Sequence, residues 1–100
     1  MRISWSEAAR ADLDAIHEYI SRDSVLYAER YVQGLIAAVD PLAEFPQLGR
    51  IVPEGDGRHR ELVFAAYRIL YRTDEEQVLI VAVIHGARDV DALWERGDIG

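Results

Sequence analysis

Val78-Leu79-Ile80-Val81-Ala82-Val83-Ile84 is an unbroken run of seven apolar residues between Gln77 and His85. A strand with one face in water alternates apolar and polar residues. A run this long and this β-branched therefore reads as a central strand covered on both faces, or nearly so. At 100 residues the chain forms one domain, residues 1–100. A domain of this size buries only about 60–68% of the surface that its unfolded chain exposes. The segments that precede the run must supply its cover.

Two of them are amphipathic helices. Met1 to Trp5 is rich in strand formers, with Ile3 and Trp5 on one parity, and reads as a first strand. Ser4 and Glu7 have capping-box spacing and Ser6 is an equally good N-cap, so a helix starts near residue 6. Its apolar positions Ala9, Leu13, Ile16 and Ile20 recur every three or four residues, with Arg10, Asp12, Asp14, His17 and Glu18 on the other side. Asp23 or Ser24 can cap a second helix whose stripe runs through Ala28, Tyr31 or Val32, Leu35, Val39 and Leu42. So short a link predicts an antiparallel helical hairpin. Gly34 weakens the second helix by about 1 kcal/mol relative to Ala. Pro41 is expected to kink it near Ala37, and Pro46 and Gly49 to close it.

Residues 47–57 turn to Gly, Pro and charge and read as a loop into the sheet. His59 to Phe64 reads as a strand, and Tyr67 to Arg72 alternates strictly: Tyr67, Ile69 and Tyr71 on one face, Arg68, Leu70 and Arg72 on the other. A two-residue turn at Ala65-Ala66, although it lacks Asn-Gly chemistry, pairs Phe64 with Tyr67, Val63 with Arg68 and Glu61 with Leu70. Glu61 and Arg68 then share a face. Residues 73–77 form a polar turn, and whether His85 joins that pair depends on a one-residue difference in register. In the acidic tail, Val90, Leu93 and Trp94 have helical spacing, so a short C-terminal helix is possible. The expected fold is α+β in the order β-α-α-β-β-β, with the helical hairpin packed on a mainly antiparallel sheet.

Composition narrows the chemistry. With no cysteine, disulfides, thiolate nucleophiles and sulfur-based zinc sites are excluded. His17, His59 and His85 are too scattered for a ligand pair, so no metal and no cofactor is expected. No apolar stretch reaches membrane-span length and no signal peptide opens the chain, which points to a cytoplasmic protein without a membrane partner. The net charge is −7. Residues 1–49 hold four Arg against eight acids, residues 50–72 five against three, and residues 73–100 two against seven. Only the middle stretch is net positive. Every basic residue is arginine, which suits bidentate pairing with carboxylate or phosphate and equally fits a codon bias.

The element order, together with Leu48-Gly49-Arg50, Tyr67-Arg68-Ile69-Leu70-Tyr71 and His85-Gly86-Ala87-Arg88-Asp89, resembles the ParE/RelE superfamily of bacterial toxins along nearly the whole chain. The ParE branch, preferred here, implies a non-catalytic poison of DNA gyrase in a type II toxin-antitoxin system. Arg50, Arg60, Arg68, Arg88 and Trp94 are the candidate target contacts. The resemblance also implies a cognate antitoxin, hetero-oligomeric with the toxin, that binds as a helix beside the hairpin or as an added strand. Leu13, Ile16, Ile20, Tyr27, Tyr31 and Leu35 are candidates for its contacts, with core packing as the other reading of these positions. The RelE branch implies instead a ribosome-dependent mRNA endonuclease. Glu61, Arg68 and His85 could then serve as base, phosphorane-stabilising cation and acid, unless they are an edge ion pair and a strand cap. That branch usually carries a bulky residue after the last strand and lysines around the site, where this chain has Gly86 and Ala87 and no lysine. Its −7 charge also works against entry into an anionic ribosome. A third possibility is a degenerate toxin that only binds its antitoxin.

Overall fold

The computed structural model describes residues 1–86. In chain order it contains β1 (Arg2–Trp5), α1 (Glu7–Ser21), α2 (Val25–Ala38), a 3₁₀ turn (Asp40–Ala43), β2 (Arg50–Ile51), β3 (His59–Phe64), β4 (Tyr67–Thr73) and β5 (Gln77–His85). Both helices begin where a serine hydroxyl can accept an otherwise orphaned backbone N–H. Ser6 Oγ accepts from Ala9 N at 3.0 Å and Ser24 Oγ from Tyr27 N at 3.1 Å. The expected kink near Ala37 is not found. α2 ends at Ala38, and Pro41, which cannot donate to a continuing helix, instead sits in the first turn of the 3₁₀ segment. The possible C-terminal helix lies outside the described residues.

The five strands form one sheet in the order β1-β5-β4-β3-β2. β1 runs parallel to β5 and every other pairing is antiparallel. The fold is α+β, with the helical hairpin on one face. Ala9, Leu13 and Ile16 of α1 and Leu35 of α2 meet Ile69, Tyr71, Val78, Ile80 and Val83 in the main core. On the other face Leu70, Val81, Ala82 and Ile84 cluster with Val52 of the preceding loop. β5 is thus buried on both faces, as its apolar run requires. β2 was not expected. It is two exposed residues within a stretch read as loop, and only its pairing with Arg60 and Glu61 makes it a strand.

The Ala65-Ala66 turn forms, and Phe64↔Tyr67, Val63↔Arg68 and Glu61↔Leu70 pair as expected. Ala65 has φ 52°, a left-handed conformation that costs an L-residue roughly 1–2 kcal/mol. Relieving it is expected to show: Ala65→Gly should raise the unfolding free energy by about 0.5–1 kcal/mol in urea titration.

β4 and β5 do not stay in step. Tyr71 pairs with Ile80 but Leu70 pairs with Ala82, leaving Val81 as an extra residue on β5. Val78 and Ile80 therefore face the helices before the bulge and Val83 faces them after it, while Val81 and Ala82 both turn to the other side. His85 pairs with Tyr67, and Arg68 pairs with Ile84. The bulge puts His85 on the helix face and Arg68 on the opposite one. Beyond β1, α1 completes the edge of β5. Ser6 N donates to Ile80 O at 2.9 Å, and Asp12 Oδ2 accepts from Val83 N at 2.9 Å. Asp12, expected among the outward residues of α1, is half-buried for this reason.

Two close approaches fix the parts around this frame. A Cβ on Gly34 would stand 2.7 Å from Cζ of Phe64, so the glycine that weakens α2 is what lets β3 lie against it. Gly49 has no such room either: a Cβ there would lie 2.5 Å from Glu61 O and 2.7 Å from the Tyr71 hydroxyl. That hydroxyl accepts from Gly49 N at 2.8 Å and donates to Pro46 O at 2.9 Å, tying the 46–49 segment to the sheet. Burial pushes the Tyr71 phenol pKa above its ordinary value, which keeps the group a neutral donor. Tyr71→Phe is expected to cost about 1–3 kcal/mol by leaving Gly49 N and Pro46 O unpaired. Amide hydrogen exchange at Gly49 should then accelerate.

Candidate functional site

Two constellations stand on opposite faces of the sheet. On the face away from the helices, Arg68 is clamped between two carboxylates. Its Nε donates to Glu61 Oε1 at 2.9 Å and its Nη2 to Glu61 Oε2. Nη1 and Nη2 also reach Glu54 at 2.9 and 3.0 Å. Arg50 adds a longer contact to Glu61 at 3.3 Å. The Glu61 side chain is fully buried (0% exposed), whereas Arg50 is 65% exposed. Hydrogen bonds to Glu54 and then to Glu61 raise the Arg68 pKa above its usual value, and the bond from Arg68 holds Glu54 below the usual carboxylate range. With four of its five N–H donors on carboxylates, Arg68 is occupied within the chain. Glu54 carries no local sequence signal. Only the need of a buried guanidinium for a second partner could have pointed to it.

On the helix face, the end of the hairpin and the end of the sheet enclose an aromatic groove. Tyr19 and Ile20 close α1, Tyr27 and Tyr31 open α2, Ala66 and Tyr67 come from the β3–β4 turn, and His85 ends β5. The rings meet edge to face: Tyr31 lies 5.9 Å from Tyr27, 5.7 Å from Phe64 and 5.8 Å from Tyr67, and Tyr67 lies 5.6 Å from His85. Such pairs each contribute about 0.5–1.5 kcal/mol beyond area burial. They make the lining rigid. Tyr19 is 65% and Tyr27 57% exposed, unusual for tyrosines that merely complete a core. Burial first, then the neighbouring phenols of Tyr31 and Tyr19, raises the Tyr67 pKa.

The expected contact residues divide accordingly. Ile20, Tyr27 and Tyr31 line the groove. Leu13, Ile16 and Leu35 face the sheet in the core, where the hairpin needs them to cover β4 and β5, so they are not a contact surface. Tyr19, Tyr67 and His85 complete the groove and were not proposed for it. Tyr19 next to Ile20 at the end of a helix, and Tyr27 with Tyr31 one turn apart, were the available signals. Of the arginines expected as target contacts and lying within the described residues, Arg50 is exposed, Arg60 donates to Gly49 O at 2.8 Å, and Arg68 is enclosed. Arg88 and Trp94 lie outside the described residues. Glu61 and Arg68 are together, but His85 is not with them. Among the described residues, no three His, Asp or Glu side chains converge as a metal site, and no helix is long and apolar enough to cross a membrane.

The family described as ParE toxin of type II toxin-antitoxin system, parDE, matches residues 3–90. The chain is 40% identical over 88 residues to Toxin RelE2 of Caulobacter vibrioides, covering 87% of this chain and 97% of that protein. It is 35% identical over 92 residues to Toxin ParE1 of Mycobacterium tuberculosis, covering 90% and 94%. A solved chain described as belonging to the chromosomal ParDE TA system from P. aeruginosa shares the fold with a TM-score of 0.74 at 25% identity, over 85% of this chain and 95% of that one.

Proposed function

Since the chain belongs to the ParE toxin family of type II toxin-antitoxin systems, we propose that it arrests growth by binding DNA gyrase and that a cognate antitoxin silences it through the aromatic groove. The observation that carries the reading is the family match over residues 3–90, joined to a groove of exposed tyrosines that the described residues leave open. Aromatic side chains in a rigid apolar lining are the usual anchors of a helix-in-groove interface. The cellular setting is cytoplasmic, where both gyrase and the antitoxin are met.

The alternative, a ribosome-dependent endonuclease built on Glu61, Arg68 and His85, is disfavoured by the register. A 2′-hydroxyl cleavage needs base, cation and acid around one phosphate, and here the sheet stands between His85 and Arg68. A degenerate toxin that keeps only its antitoxin contact is the remaining alternative. Expression in a bacterial host separates an active toxin from a degenerate one: growth should stop on induction of the chain alone and resume when the adjacent open reading frame is co-expressed. Unimpaired growth with soluble, folded protein would contradict an active toxin.

A further inference from the structure

The polar groups around the aromatic groove restrict the chemistry of what fills it. They are the hydroxyls of Tyr19, Tyr27, Tyr31 and Tyr67 and the imidazole of His85, and among the described residues no carboxylate lines the groove. The four hydroxyls make no hydrogen bond to the described residues, so each has a proton to donate. The one charged side chain set against this lining is a cation: Cζ of Arg22 lies 5.8 Å from the centre of the Tyr19 ring. Glu18 stands one turn before Arg22 and Asp23 follows it, yet among the described residues Arg22 forms no ion pair. Arg50, Arg58 and Arg68, by contrast, each rest on a carboxylate, and Arg60 rests on the carbonyls of Gln47 and Gly49. A ring contact gives none of the five guanidinium N–H donors an oxygen. Arg22 is thus held at the groove with its donors still open.

We propose that the antitoxin segment that fills this groove is apolar with an acidic contact at the α1–α2 end, its aliphatic residues against Ile20, Tyr31 and Tyr67 and an Asp or Glu side chain on the Arg22 guanidinium beside Tyr19. This rests on the antitoxin reading above and gives that partner a carboxylate at a stated place. A carboxylate there meets an unpaired guanidinium, and charge-assisted hydrogen bonds of that kind are roughly twice as strong as neutral ones. A Lys or Arg at the same place would meet a like charge already seated on the ring, with no carboxylate in the lining to receive it. The −7 charge of the chain works against an acidic segment at long range, where salt screens it. The Arg22 contact is local and acts once the segment has docked.

The test uses the full chain and the purified product of the adjacent open reading frame, with affinity measured by titration calorimetry at about 50 and 500 mM NaCl. Arg22→Glu should bind about tenfold or more weakly than wild type at low salt, and the gap should narrow at high salt. Arg22→Lys keeps the charge without the planar fork, so its affinity should lie between those of wild type and Arg22→Glu. Arg10→Glu makes the same change in net charge at an exposed position about 18 Å away along α1, and should leave affinity within about twofold. Both arginines and Tyr27 are exposed, and circular dichroism melting confirms that the variants are folded. Unchanged or tighter binding by Arg22→Glu, or an equal loss in Arg10→Glu, would overturn the acidic contact while leaving the groove in place. Unchanged affinity in Tyr27→Ala would instead remove the groove as the antitoxin site, and this inference with it.

Discussion

Arg68→Ala is expected to lower the unfolding free energy by about 3–5 kcal/mol, because it leaves the Glu61 carboxylate buried with only the distant contact to Arg50. For a domain whose whole stability is about 5–15 kcal/mol, that is a drop in melting temperature of roughly 12–40 °C. Arg68→Ala/Glu61→Gln should recover part of the loss, since removing both charges costs less than orphaning one. A catalytic role would give a different pattern: loss of activity at preserved stability. The acid limb of stability should change as well. Glu54 and Asp56 are both held below the ordinary carboxylate range, Glu54 by the hydrogen bond from Arg68 and Asp56 by the backbone N–H and guanidinium of Arg58 and then by His59. A depressed carboxylate stabilises the fold at neutral pH and loses that contribution as pH falls through about 4 and below. Wild type should therefore weaken on acidification. Arg68→Ala should weaken less steeply, because the Glu54 contribution has already gone while that of Asp56 remains.

Tyr31→Ala is expected to produce the largest loss of antitoxin affinity, about 2–4 kcal/mol or roughly 30–1,000-fold. Tyr31 is the hub of the groove, in edge contact with Tyr27, Phe64 and Tyr67. Its ring is half-buried, so the variant also loses some fold stability. Tyr27→Ala supplies the control. That ring touches only Tyr31 among the aromatic side chains of the described residues and is largely exposed, so its removal should scarcely move the melting temperature. It should still weaken binding about tenfold, the effect of an interface residue worth just over 1 kcal/mol. A co-expression assay reads the same ordering in cells. Rescue of growth by the antitoxin should fail for a toxic Tyr31→Ala chain and be partial for Tyr27→Ala.

The parts of the fold that local chemistry determines were legible in the sequence. Ser4 or Ser6 and Asp23 or Ser24 marked the helix starts to within two residues, the alternation from Tyr67 to Arg72 fixed the faces of β4, and the two-residue turn fixed the partner of Glu61. What was not legible depends on residues far apart in the chain. β2 is a strand only because Arg60 and Glu61 lie beside it. The bulge at Val81 leaves no mark in an all-apolar run, where slipping by one residue replaces one aliphatic side chain with another. Yet that bulge decides which side of the sheet His85 occupies. The site was legible in the same uneven way. The Glu61–Arg68 pair followed from register, but Glu54 comes from a loop whose path sequence does not give. Tyr27 and Tyr31 stood out on their helix, whereas joining them to Tyr67 and His85 required the packing of α2 on the sheet. Asp12 shows the cost of reading a helix by period alone. It belongs to the polar side of α1 and is nonetheless drawn inward by the open N–H of Val83.

The central claim is that this chain acts by gripping another protein, and supercoiling by purified DNA gyrase tests it most directly. Added at micromolar concentration, the chain should inhibit supercoiling and accumulate cleaved DNA, and prior mixing with its antitoxin should abolish both effects. Supercoiling left intact, together with cleavage of mRNA on translating ribosomes by the same preparation, would contradict the account.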